Sequence, residues 1–215
     1  MKIIKTFLII VMLLCLVGCT NVKELSYDDI INTLSLKEKN ANTYKQGYQY
    51  YIPKGLLVDD AGSNYAIITS SDATYYLYVD LVNYINKKTV AYEVNNNYVY
   101  SKKINYQDKS GYVEIKLWEN NQYLIEIMYN YAKIEVMVEE NLINKVLINS
   151  ISILNSIKYN DLAIERLLND DELDYTEEIF EIFENNNFNS DVLEYENESE
   201  NNETEEELKD TDFIN

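Results

Sequence analysis

The sequence predicts an α+β fold, in which an antiparallel sheet packs against one helix that precedes it and one that follows it. Apolar and polar residues alternate in four segments between residues 75 and 138, as expected for strands with one buried face. Residues 142–157 then change to helical spacing, with a wide apolar stripe. Such a stripe must cover an apolar surface, and the sheet is the surface that the sequence offers.

The first helix is predicted to begin at Ser26, because Ser26 and Asp29 form a capping-box pattern ahead of an apolar stripe. The stripe fades by about Asn40. A short apolar strand follows, and Pro53 and Gly55 break the chain after it.

Four strands are predicted from the alternating segments, which cover residues 75–84, 112–118, 123–131 and 133–138. Turn-forming residues stand between the segments at 86–88, 95–97, 108–111 and 120–121. Links this short join antiparallel neighbours, so the strands are expected to form a meander.

The N-terminal residues have the pattern of an export signal. Two lysines precede an apolar run that is shorter than the ~20 residues needed to span a bilayer. The run ends in Leu16, Val17, Gly18 and Cys19, which resembles the lipobox of bacterial lipoproteins. The resemblance implies a signal peptide at 1–18, lipid attachment to Cys19, a linker at 19–25, and a location on the extracytoplasmic face of the cell membrane. The alternative is an ordinary secreted protein with an incidental cysteine.

The net charge of −19 is distributed unevenly. Residues 1–160 carry 16 acidic and 16 basic side chains, whereas residues 161–215 carry 21 acidic and 2 basic ones. This asymmetry predicts a globular domain at 26–160, an acidic helical segment at 161–184 and a disordered acidic tail at 185–215.

The acidic helical segment contains a short apolar face made of Ile179, Ile182 and Phe183. This face is a candidate docking surface for a partner. The alternative is that it packs back on its own domain.

The composition excludes several kinds of chemistry. The chain has no His, which excludes Ser-His-Asp systems and most catalytic zinc sites, and its five scattered Gly form no nucleotide-binding motif. The acidic tail lacks the EF-hand pattern and repels nucleic acid. Adjacent carboxylates occur at 28–29, 59–60, 139–140 and 170–171, but sequence neighbours usually point apart. We therefore expect no catalytic residue, metal, cofactor or nucleic-acid partner.

Tyrosine is unusually abundant, with 21 residues. Tyrosine offers apolar contact area and a hydroxyl, which suits protein or glycan binding. The alternative is that these rings merely cover a half-exposed sheet, since tyrosine favours strands and is encoded readily by AT-rich genomes. The candidate binding surface consists of Tyr76, Tyr78, Tyr84, Tyr98, Tyr100 and Trp118.

The predicted domain also resembles the PsbP-like domains of some bacterial lipoproteins. The likeness covers about residues 47–159 and lies in the opening at residues 50–55, the meander, and a closing helix that ends in Asn155-Ser156-Ile157. Lipoproteins of low-GC bacteria are a closer likeness. The PsbP-like likeness implies assembly and binding roles without catalytic residues, and the likeness to uncharacterised lipoproteins implies no activity either. The expected function is therefore non-catalytic binding of an envelope protein, with a solute or glycan as the alternative ligand and a carboxylate-dependent hydrolase as the less favoured reading.

Overall fold

The computed structural model describes residues 25–35, 37–169 and Phe183. The helices in this part of the chain are α1 (Tyr27–Ser35), α2 (Leu81–Asn86), α3 (Ile143–Asn155) and α4 (Asp161–Asn169). The strands are β1 (Thr43–Tyr44), β2 (Tyr48–Tyr50), β3 (Leu57–Ala61), β4 (Tyr65–Thr69), β5 (Thr74–Val79), β6 (Tyr100–Tyr106), β7 (Lys109–Leu117), β8 (Gln122–Tyr129), β9 (Ala132–Glu139) and β10 (Lys158–Tyr159).

Three of the ten strands, β1, β2 and β10, form a separate small sheet. The other seven strands form one antiparallel sheet in the order β3-β4-β5-β9-β8-β7-β6, which confirms the predicted fold class. The chain builds this sheet in two meanders, β3 to β5 and β6 to β9. The pairing of β5 with β9 joins them, and α2 with the following segment carries the chain to the far edge.

Helix α1 begins where the capping-box pattern predicts. The backbone N–H of Asp29 donates to Ser26 Oγ at 3.1 Å, and the Ser26 hydroxyl donates to Asp29 Oδ2 at 2.6 Å. The helix ends at Ser35, before the predicted limit, and the Ser35 hydroxyl donates to the Ile31 carbonyl.

The core lies between one face of the large sheet and the helices α1 and α3. Helix α3 covers β8 and β9, and α1 packs against α3, so the predicted closing helix is confirmed. Ile127 and Ile134 from the sheet meet Leu147 and Ile151 from the helix in this fully buried layer. Each such side chain contributes about 1.5–3 kcal/mol through burial.

The predicted strand over 75–84 is too long. Strand β5 ends at Val79, and Asp80 then caps α2 by accepting the Asn83 backbone N–H at 2.8 Å. Aspartate is a strong helix N-cap, and here it overrides the alternating pattern. Tyr84 therefore lies on a helix.

One predicted turn and the end of one predicted strand are also corrected, and another predicted turn is confirmed. Gly111 lies inside β7, where an added Cβ would come within 1.9 Å of the Met128 carbonyl oxygen. The turn falls earlier, at Gln107. Strand β8 ends at Tyr129 because Asn130 and Tyr131 form a turn with φ of 56° and 58°. The turn predicted at 120–121 is present, with positive φ at both residues.

Helix α4 is the first part of the predicted acidic helical segment, and it packs on the domain. Ile164 and Leu167 are buried, and both lie close to Gly47. The signal peptide, the lipobox, Cys19, the linker up to residue 24, Ile179, Ile182 and the acidic tail lie outside the described residues. Within the described ranges, no helix is both long enough and apolar enough to cross a membrane.

Candidate binding face of the sheet

The large sheet has a second face, opposite α1 and α3, which carries an unusual row of side chains. Glu114 on β7, Glu126 on β8 and Glu135 on β9 are direct cross-strand partners, and Tyr76 on β5 continues the row. Side chains opposite each other on antiparallel strands are in contact distance, so the register brings three carboxylates together. Together with Lys116 and Lys133 on the same face, the three glutamates form what we call the charged cluster.

The charges of the cluster are paired within it. Lys116 Nζ lies 2.8 Å from Glu114 Oε2 and 3.3 Å from Glu126 Oε2. Lys133 Nζ lies 2.7 Å from Glu135 Oε1. The five side chains are only 3–15% exposed. At this depth an unpaired charge would be strongly unfavourable, and the pairing offsets part of that penalty.

Two tyrosines complete the hydrogen bonding of the carboxylates. The Tyr112 hydroxyl donates to Glu126 Oε1 at 2.6 Å, and the Tyr92 hydroxyl donates to Glu114 Oε1 at 2.9 Å. The two rings stack at 4.2 Å, and the ring of Tyr98 lies 4.9 Å from Lys116 Nζ. Because Tyr92 and Tyr98 belong to the segment between α2 and β6, that segment covers the β7 side of the second face.

The environment separates the proton affinities of the two facing carboxylates. Burial raises the pKa of Glu114. Burial would also raise the pKa of Glu126, but Lys116, Lys133 and the Tyr112 hydroxyl hold it below its ordinary value. The pKa of Lys116 is raised, because the two carboxylates more than offset its burial. Glu114 is therefore the facing carboxylate that protonates more readily.

Four residues of the predicted tyrosine surface lie on or beside this face. Tyr76 and Tyr78 lie half-buried on β5, where their cross-strand partners are Glu135 and Lys133. Tyr98 lies over the charged cluster, and Trp118 directly follows the end of β7.

The other two predicted residues lie elsewhere and hold helices in place. Tyr100 lies on the face covered by the helices, and its hydroxyl donates to Asp28 Oδ1 of α1 at 3.0 Å. Tyr84 stacks on Tyr159 at 3.8 Å, and its hydroxyl donates to Asp161 Oδ1 of α4 at 2.7 Å.

Phe183, from the predicted docking helix, also reaches the second face. Its ring lies against Tyr76, with the ring centroids 5.6 Å apart and the planes at 76°. This edge-to-face geometry is the favoured arrangement of an aromatic pair.

The adjacent carboxylates noted in the sequence are placed apart from the cluster. Asp28 pairs with Lys102, the residues at 59–60 lie on the exposed edge strand β3, and those at 139–140 are exposed at the end of β9. Asp170 and Asp171 lie outside the described residues. In the part of the chain that the structure describes, no group of three or more His, Cys, Asp or Glu side chains is arranged to hold a metal ion.

The carboxylates that do meet are not neighbours in the sequence, so the adjacent pairs did not predict them. The signal that could have found them is the alternation itself, which places Glu114, Glu126 and Glu135 on the polar faces of three successive strands. In chemical terms the cluster is an ion-pair network in which every carboxylate contacts a lysine, with aromatic rings along its border, and this suits recognition better than ion binding. The sequence matches no known protein family and no curated protein.

Proposed function

We propose that this chain is a bacterial lipoprotein, anchored through lipid on Cys19 at the extracytoplasmic face of the cell membrane. Its α+β domain binds a protein of the cell envelope through the second face of the sheet, without a catalytic step. The observation that carries the binding role is the pair of half-buried tyrosines, Tyr76 and Tyr78, which border the charged cluster on a face without α1 or α3.

The lipobox-like residues ahead of the domain support the anchor. Helix α1 begins at Tyr27, so the predicted linker of residues 19–25 would reach at most ~25 Å when fully extended. A domain on such a tether stays close to the membrane surface. The partner is therefore expected among components held at or near that surface.

The chemistry of the second face supports a protein partner. Lys133 and Glu135 pair with each other and do not need an ion from outside. What the face offers is aromatic area and phenolic hydroxyls, which are enriched in protein interfaces and lose little entropy on binding. The same chemistry would accept a neutral glycan, which remains the alternative ligand.

The anchor is tested by Cys19→Ala, with Cys15→Ala as the matched control. The first variant should leave the membrane fraction and lose the mass of the lipid, because the thiol that forms the thioether is gone. The second should behave like the wild type, since Cys15 lies within the predicted signal peptide. A Cys19→Ala chain that stays in the membrane fraction with unchanged mass would contradict the proposal.

The binding role is tested by photo-crosslinking in intact cells with benzoylphenylalanine at position 78. Position 44 serves as the control, because Tyr44 is 71% exposed but lies in the small sheet. A specific product is expected from position 78, and Tyr76→Ala should weaken it while Tyr44→Ala should not. Identical products from both positions, or none from position 78, would overturn this use of the face.

A further inference from the structure

Phe183 meets the sheet at an interior position. Tyr76 lies on β5, which is flanked by β4 on one side and β9 on the other, so the contact falls well inside the second face. An incidental contact of the Phe183 ring with the domain would be expected at an edge strand. The interior position of the contact therefore indicates that the ring binds on the second face.

The chain after α4 is long enough to bring Phe183 to Tyr76 within one molecule. Helix α4 ends at Asn169 and packs beside α2, which follows directly on the end of β5. The 14 residues from Asn169 to Phe183 would span about 21 Å as a helix. Tyr76 is about 10 Å from the end of β5 along the strand. The chain between Asn169 and Phe183 can therefore reach Tyr76 of the same molecule without being fully extended.

The burial of neighbouring charges gives a second, independent observation. Lys133 and Glu135 are 5% and 2% exposed, although they lie on the face opposite α1 and α3. Their cross-strand partners are Tyr78 and Tyr76, and Tyr76 is the residue that Phe183 contacts. Tyr92 and Tyr98 cover the β7 side of the face, so the burial of Lys133 and Glu135 on β9 indicates a second cover near Phe183.

We propose that Phe183 anchors an internal ligand on the second face, in the same molecule, at the surface assigned above to the partner. In the sequence, acidic residues at 177, 178, 181 and 184 stand around Phe183 together with Ile179 and Ile182. An external partner binds this surface by displacing the segment around Phe183. Such a partner would itself present an acidic amphipathic segment with an aromatic side chain as its anchor. This last step rests on the proposed function, whereas the internal docking does not.

The docking is tested on the full-length chain with benzoylphenylalanine at position 183, and with position 213 as the control. Phe213 is another phenylalanine of the acidic C-terminal region. The expected product is an intramolecular crosslink from position 183 to the peptide that contains Tyr76, with none from position 213. A crosslinked dimer would show docking between copies and would overturn the proposal, as would the absence of any product on β5.

A chemical measurement complements the crosslink. Nitration of Tyr76, mapped by mass spectrometry, should be several-fold faster in Phe183→Ala than in the wild type and unchanged in Phe213→Ala. Equal rates in all three chains would contradict the docking.

The two proposals fail in different ways. With the position-78 crosslinker in cells, partner capture should increase in Phe183→Ala, because the internal competitor is weakened. If position 183 crosslinks to β5 but no partner is captured by either chain, the docking stands and the proposed function fails. If a partner is captured but position 183 never reaches β5, the docking alone fails.

Discussion

Glu114 and Glu126 are direct cross-strand partners on β7 and β8, and the ammonium group of Lys116 bonds to both. Two carboxylates in this position normally repel each other. Lys116 and the hydroxyls of Tyr92 and Tyr112 convert the repulsion into a satisfied network. A one-residue slip of β7 would carry these charges to the apolar core, so the network also opposes any other register.

Replacement of Lys116, the lysine that contacts both facing carboxylates, should strongly lower the stability of the fold. Lys116→Met leaves two buried carboxylates without their cation, and we expect a loss of about 3–5 kcal/mol in the free energy of unfolding. Lys102→Met is the control, because Lys102 pairs with Asp28 in a more exposed setting and should change stability by no more than ~1 kcal/mol. Urea denaturation measures both, and equal losses would contradict the structural role of the cluster.

The two facing carboxylates should respond oppositely to pH. Glu126 has a lowered pKa in the folded chain, so its stabilising contribution is present above its unfolded pKa and is lost as pH falls. Glu114 has a raised pKa, so it weakens the fold as pH rises above its unfolded value. Glu126→Gln should therefore destabilise more at pH 7 than at about pH 4, and Glu114→Gln less. Denaturation of both variants at the two pH values tests this, and parallel behaviour would refute the assignment.

The hydroxyl groups of two buried tyrosines should contribute differently to the stability of the fold. Tyr50 is fully buried, and its hydroxyl has no hydrogen-bond partner among the described residues, whereas the Tyr112 hydroxyl bonds to Glu126. Tyr50→Phe should leave stability unchanged or raise it, and Tyr112→Phe should lower it by about 1.5–3 kcal/mol. Thermal and urea unfolding of the two variants would compare them. A larger loss at position 50 would show that its hydroxyl is satisfied.

Two glycines should tolerate alanine very differently. A Cβ at Gly111 would collide with backbone of the neighbouring strand, so Gly111→Ala should cost at least ~3 kcal/mol or prevent folding. At Gly55 no atom lies within 4 Å of the added Cβ, and only the φ of +93° opposes it, at about 1–2 kcal/mol. Yield and unfolding free energy distinguish the two, and equal effects would contradict the close strand contact at Gly111.

The local pattern predicted which face of each strand Glu114, Glu126 and Glu135 occupy, and it did not predict that they meet. Their contact depends on strand order and register, which are set by pairings between distant parts of the chain. The alternating pattern placed Tyr76 and Tyr78 on one face but did not separate them from Tyr84. The N-cap at Asp80 made that difference, and its signal is present in the sequence.

The turn at Asn130 and Tyr131 shows a different limit. Asparagine tolerates positive φ, but a bulky tyrosine at φ of 58° is disfavoured, so local propensity argues against a turn there. Tertiary contacts offset the strain. The Tyr131 ring lies against Tyr84 at 5.5 Å, and the Asn130 carbonyl accepts the Tyr159 hydroxyl. A turn maintained by partners from α2 and β10 is not visible in the residues of the turn itself.

The strand order also sets a sequence of events for a chain that emerges N-terminus first. Strands β3 to β5 can pair with one another early, but the free edge of β5 waits for β9, the last strand of the large sheet to be made. Until then β5 presents Tyr75, Leu77 and Val79 without the layer that buries them. During synthesis, this half-built sheet is the stage at which the chain is most prone to aggregate.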